Sequence, residues 1–345
     1  MKSNLFQTRN HLSRITKYFY LAMMAWALSA CTSSPDCFRK DVFCAALVTD
    51  TLGIEDHGMN QNAWAGLQAT QENGLADQVD YIASVDARDY QKNITYFVDL
   101  GYDVIFTSGI SLDDETLHSA DLAPDSVFVG LNQTFEEARP NLISVTFPED
   151  QMGFAAGVGA ASLTKTGIVA AVCETSGIDA MWRYCEGFRA GVKHVSPELQ
   201  VLVVYREDGD REKLFIDEQW GYDTAKNLIE RGADVVFAAG GVTGQGALKA
   251  ATELHVYAIG SERDQAAVLG VQGSSVVTSV YGQSQLTVQD VMRMLREGKL
   301  SKTWQGSVGY IPLSSAYPPE VSLGLDLLLG ALKRGEIQTN VTKSH

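Results

Sequence analysis

Short apolar runs recur along this chain, separated by longer stretches in which apolar side chains return every third or fourth position. The first kind reads as buried strands, the second as helices with one face on a core. In order, the pattern predicts strands over 45–49, 78–85, 103–107 and 126–131, with helices over 60–73, 89–100 and 114–123 between them. After Phe147 it begins again: helix 149–163, strand 167–172, helix 180–195, strand 200–205, helix 221–231, strand 234–239 and helix 244–254. Strands over 255–259 and 276–280, a helix over 284–297 and an apolar helix near 323–333 close the series. Strand and helix alternating this strictly build parallel sheets covered on both faces. The expected fold is therefore α/β, with two doubly wound, Rossmann-like lobes joined by a multi-strand hinge.

The late helices cross between the lobes, so each lobe is expected to be discontinuous: 41–146 plus 283–308, and 147–282 plus 309–335, with a tail over 336–345. The hinge then falls near 146–148, 279–282 and 308–310. Residues 1–30 read as a lipoprotein signal peptide. Lys2, Arg9, Arg14 and Lys17 make it basic, and the apolar stretch from Tyr18 to Leu28 is too short to span a bilayer. Leu28-Ser29-Ala30-Cys31 reads as a lipobox, with cleavage before Cys31 and lipidation of its thiol. The two or three acyl chains of a lipoprotein cysteine, palmitate among them, hold a protein firmly to a membrane. Residues 31–40 would be the tether, and the mature chain would sit on the extracytoplasmic side of the cell membrane.

That compartment oxidises thiols. Cys37, Cys44, Cys173 and Cys185 form an even set, so disulfides are expected. Of the three possible connectivities, local pairing of Cys37 with Cys44 and Cys173 with Cys185 is the simplest. A metal is not expected, because no spacing is C-x-x-C and no histidine is near. At 345 residues, 45% of them hydrophobic, the chain can fill two cores. Its net charge of −15 and pI near 4.8, without a basic stripe, argue against nucleic acid as a partner.

Candidate chemistry collects where predicted strands end. The loop after the first strand carries Asp50, Glu55, Asp56, Asn60 and Gln61, more acceptors than a bland turn needs. In open α/β sheets ligands bind at that end of the strands. Residues 237–246, Phe-Ala-Ala-Gly-Gly-Val-Thr-Gly-Gln-Gly, follow a strand and open a helix, so Gly240 and Gly241 would let backbone N–H groups approach a ligand. This is neither a dinucleotide fingerprint, since Lys249 sits where Gly or Ala is needed, nor a P-loop, since no Gly-Lys-Ser/Thr follows. No cofactor is expected. Enzyme signals are poor: Ser162-Leu-Thr-Lys165 and Lys165-Thr-Gly167 share one lysine where β-lactamase chemistry needs two, and His57, His118, His194 and His255 lack partners.

Asp50, Gly53, Asp56, Asn60, Gln61, Trp64 and Gly66 match the first motif of the basic membrane protein family, the nucleoside-binding lipoproteins of ABC importers. Phe147-Pro-Glu-Asp-Gln-Met-Gly, Gly187-Phe-x-Ala-Gly191, the 237–246 stretch, Ile259-Gly260 with Asp264-Gln265, and Val277-Thr-Ser279 resemble later segments of the same family in the same order. The resemblance implies a type I periplasmic binding protein that takes a purine nucleoside between its lobes and delivers it to an ABC permease. It also implies that Phe215 and Met59 clamp the base, that Asn132 hydrogen-bonds it beside Asp50, Asp56 and Asn60, and that Glu262, Asp264 and the glycine turn hold the sugar. Met59 stands where the family usually has Phe, Asn132 where it has Asp, and Gly282 where it has Lys. A thioether packs on a ring less strongly than a second aromatic does, which predicts a weaker or broader sandwich. The protein is expected to be a monomer. Other expectations are another flat heteroaromatic solute such as riboflavin, a surface sensor or adhesin in place of a transport protein, and, more distantly, a nucleoside hydrolase.

Overall fold

The computed structural model describes residues 35–299, 301–314 and 317–342. The expected signal peptide and Cys31 lie outside the described residues. The first lobe opens with β1 (Cys44–Thr49), whose six residues are all buried because helices cover both faces of the sheet. It continues through α1 (Met59–Glu72), β2 (Gln78–Ala83), α2 (Tyr90–Asp99), β3 (Val104–Ser108), α3 (Asp113–Leu122), β4 (Val127–Leu131) and β5 (Leu142–Thr146). The second lobe repeats the scheme with α4 (Glu149–Leu163), β6 (Ile168–Cys173), α5 (Asp179–Val195), β7 (Gln200–Tyr205), α6 (Glu218–Glu230) and β8 (Val235–Ala239). It goes on with α7 (Gly241–Glu253), β9 (Tyr257–Ser261), α8 (Gln265–Leu269) and β10 (Val276–Gly282). The chain then returns to the first lobe for α9 (Ser284–Arg296) and β11 (Thr303–Gln305), and ends in the second with β12 (Val308–Tyr310) and α10 (Pro319–Lys333).

The sheets run in the orders β11-β5-β4-β3-β1-β2 and β12-β10-β9-β8-β6-β7. Every pairing is parallel except β10 with β12. In each sheet the opening strand lies between its second and third, so connections leave to opposite sides and open a crevice at the strands' carboxyl ends. Strands β5, β11 and β12 and the short α8 are absent from the sequence pattern, β12 lying where the hinge was expected. A three-residue strand shows no period, and β5 is a short run with a serine inside it. The strand expected at 255–259 lies two residues later, because His255 turns with φ +56 to end α7.

Three passages join the lobes: Thr146 to Glu149, Gly282 to Ser284, and Gly306 with Ser307. The last precedes Val308, which already belongs to the second sheet. Gly306 N–H donates to Thr146 O and Gln283 N–H to Ser307 O, each at 2.8 Å, so the passages are stitched side by side. The buried ring of Phe147 lies against the other two. At Gly282 and at Gly306 an added Cβ would stand 2.5 Å from its Cδ1. Phe147 belongs to a cluster of buried apolar side chains that extends from Leu47 and Phe106 in the first lobe to Phe188 and Phe237 in the second. Two disulfides brace the strand ends, Cys37–Cys44 ahead of β1 and Cys173–Cys185 between β6 and α5, with Cα–Cα separations of 5.8 and 6.4 Å. The Phe147→Ala variant is expected to unfold with a loss of about 3–5 kcal/mol in urea titration. A loss under about 1 kcal/mol would show that the ring is not enclosed at the crossing.

Candidate functional site

Asp50 leaves β1 at its carboxyl end. Its carboxylate accepts from Asn60 Nδ2 at 2.8 Å and from the Leu52 N–H at 3.0 Å, and Asn60 Nδ2 also donates to Gly53 O at 3.0 Å. Buried Asn60 thereby ties the first turn of α1 to the loop. Desolvation pushes the Asp50 carboxyl above its ordinary value, against these hydrogen bonds. Met59 begins α1 half-buried against the core. Asn132 follows β4 with φ +59 and donates its N–H to Val145 O at 2.8 Å. Beside it, buried Gln133 donates from Nε2 to Gly109 O at 2.8 Å and locks the turns after β3 and β4 together.

Asp56 has a structural duty the sequence reading did not assign. One oxygen accepts the Gly58 and Gln61 N–H groups at 2.9 and 3.0 Å, and the other accepts that of Asn60 at 3.1 Å. Donors of this kind are otherwise orphaned at a helix start. Buried Asp56 therefore fixes the start of α1, where Met59 and Asn60 stand.

In the second lobe, Phe215 sits on the loop before α6 with φ +64, a conformation a bulky residue rarely adopts. It is held there by Glu174, which sequence reasoning missed. Glu174 Oε2 accepts the Phe215 N–H and the Thr243 hydroxyl, each at 2.9 Å, while Oε1 accepts from Arg206 Nε at 2.6 Å. Both charged side chains are buried, 0% and 2% exposed. The Phe215 carbonyl accepts from the Val242 N–H at 2.8 Å. The glycine turn thus has a structural duty the sequence reading did not assign: the Val242 amide at the start of α7 is taken by Phe215. Gly240 and Gly241, at φ +122 and +59, make room for this, since a Cβ on the first would stand 2.7 Å from Glu174 Cβ and one on the second 2.8 Å from Phe215 O.

Glu262 leaves β9 with φ +67. Water reaches its side chain, yet protein surrounds it closely enough that desolvation pushes its carboxyl up. Arg263 opposes that shift and Glu149 adds to it. Asp264 accepts the Ala267 N–H at 3.1 Å and so caps α8, a structural duty the sequence reading did not assign. Its own N–H donates to His57 O, in the first lobe's loop, at 2.8 Å. The loops after β1 and β9 therefore face each other across the crevice. Asp50, Met59 and Asn132 stand at strand ends and loops of one lobe, and Phe215 and Glu262 at those of the other.

The profile of the Bmp family, described as PnrA-like ABC transporter substrate-binding proteins, matches residues 43–309. The chain belongs to this family. A CD4+ T-cell-stimulating antigen of Listeria monocytogenes is 34% identical over 256 residues, 69% of each chain. The ABC transporter nucleoside-binding protein BmpA of Lactococcus lactis is 30% identical over 272 residues, 74% of this chain and 75% of its own. Among solved structures, an ABC transporter solute-binding protein from Conexibacter woesei superposes with a TM-score of 0.70 at 21% identity, covering 86% of this chain and 98% of that one. The fold is that of type I periplasmic binding proteins, and the Bmp family is a class of solute receptors for ABC transporters, not a class of enzymes.

A carboxyl held above its ordinary value disfavours its charged form in the folded chain, so it lowers stability once pH exceeds that raised value. Below the unfolded-state value both states are protonated and the effect vanishes. The Glu262→Gln variant should therefore melt higher than the parent at neutral pH, and the difference should disappear in acid. A variant that melts lower at neutral pH would contradict the burial argument.

Proposed function

We propose that this protein is the lipid-anchored, extracytoplasmic receptor of an ABC importer and captures a purine nucleoside between its lobes. The lobes would close about the Phe147 crossing, and the solute would favour the closed state by its differential affinity. Phe215 and Met59 would hold the base, Asn132 and Asp50 would hydrogen-bond it, and Glu262 would accept from the ribose hydroxyls. Carboxylates are acceptor-only groups when ionised, which suits paired hydroxyls. Asn60, Asp56, Gly240, Gly241 and Asp264 would act by holding these groups in place. The observation that carries the reading is the likeness, across about three quarters of each chain, to a relative named as nucleoside-binding. Captured solute would pass to a permease, with Cys31 anchoring the receptor beside it. No helix among the described residues is long and apolar enough to cross a membrane.

Denaturing the purified protein and identifying the released small molecules by mass spectrometry tests the ligand directly. A purine nucleoside is expected, and riboflavin or another flat heteroaromatic solute would replace this reading. By calorimetry, Phe215→Ala should weaken nucleoside binding about tenfold or more, the contribution of one stacked base. Unchanged affinity would remove Phe215 from the site. In cell fractionation, Cys31→Ser should move the protein from the membrane to the soluble fraction, and an unchanged membrane pool would count against lipid anchoring.

A further inference from the structure

Two neighbouring residues of each lobe meet across the crevice. His57 O accepts the Asp264 N–H at 2.8 Å, and beside that bond the stem of Arg263 fills the space a side chain would need at position 58. A Cβ on Gly58 would collide with Arg263 Cγ and stand 3.1 Å from its Cδ. Gly58 immediately precedes α1 and lies between Asp56 and Met59, so the first lobe presents a notch at the mouth and the second lobe fills it. The Arg263 charge acts in two directions. It offsets part of the desolvation of Asp50 in the first lobe and of Glu262 beside it in the second. Its guanidinium is therefore a positive charge shared between one acid of each lobe. Position 282, where the family resemblance places a lysine, is glycine with its Cβ space taken by Phe147, so it supplies no such charge.

We propose that Arg263 is the closing latch of the cleft, a positioning residue that seats its stem in the Gly58 notch beside the bond from the Asp264 N–H to His57 O. This rests on the reading of the crevice as the solute site, though not on the identity of the solute. The latch works before any solute arrives. It raises the closed population of the empty receptor and slows release from the filled one.

The test is the distribution of distances between spin labels on exposed positions of the two lobes, such as Tyr96 and Leu254, in the ligand-free protein. Arg263→Ala and Gly58→Ala should each lower the ratio of closed to open molecules by about tenfold and raise the apparent dissociation constant by whatever fraction of competent molecules is lost. Because both remove one contact, the double variant should open no further than either single variant. The unfolding midpoint of Arg263→Ala should stay with the parent's, since that change leaves both cores intact, whereas Gly58→Ala also sets a Cβ 3.2 Å from Asp56 Oδ2 at the start of α1 and is read by the distance distribution alone. An unaltered ligand-free distribution in Arg263→Ala, even with weaker binding, would overturn the latch and leave Arg263 a ligand contact. A double variant that opens by the sum of the singles would overturn the shared seat. Failure of nucleosides to bind a receptor whose empty distribution shifts as described would refute the nucleoside reading alone.

Discussion

Three passages of chain join the two sheets, and all three close on one aromatic ring. Phe147 belongs to the first passage, while Gly282 and Gly306 of the other two lend it the space their side chains would fill. A close-packed contact of ring against bare backbone leaves no room for further side chains between the passages, so the three are held together at one point. The same contact accounts for a departure visible in the sequence. A lysine at position 282 would need the volume the ring occupies, so in this chain the pivot excludes the cation that the family resemblance places there. Hinge packing and cleft electrostatics are thus one problem, and the charge at the mouth comes from Arg263 instead.

The site inherits its precision from strand ends. Each lobe is a parallel sheet, so its loops leave on the same side, and the residues just past β1, β4 and β9 start from backbone that neighbouring strands hold in register. Phe215 lacks that advantage, since its loop precedes a helix. The Glu174–Arg206 pair supplies the missing rigidity. A buried ion pair is weak evidence for stability, because desolvation consumes most of what the charges return. Its use here is geometric: one carboxylate receives Arg206, the Phe215 amide and the Thr243 hydroxyl, and so fixes three segments about a single point.

The two-lobed plan was readable because alternation is a property of whole segments. Helix 149–163 and strand 200–205 lie where the pattern puts them. The candidate acids were readable as residues but not as roles. Nothing in the sequence separates Asp56 and Asp264, which satisfy helix amides, from Asp50 and Glu262, whose carboxyls desolvation pushes up; the difference lies in which way the backbone turns after the strand. Glu174 left a usable trace. An acid directly after an apolar strand and a base directly after the next become neighbours once β6 and β7 pair with Cys173 opposite Tyr205. Arg263 left none, because its partner is a missing side chain on another lobe.

The loops that face the crevice hold the molecule's least comfortable backbone. Of the six described residues other than glycine with positive φ, His57, Asn132, Phe215 and Glu262 all lie there. Left-handed backbone costs roughly 1–2 kcal/mol for an ordinary L-residue, less for asparagine, and phenylalanine and glutamate have no local hydrogen bond to soften it. Asp50 and Glu262 add a second burden, since both are carboxyls whose charged form burial disfavours. Neither burden helps the chain to fold. Both fall on groups that a polar, ring-bearing solute would touch, and such a solute returns hydrogen bonds to the acids without having to reorganise the loops. Strain and desolvation concentrated at one mouth are what a receptor needs if closing is to respond to what lies inside.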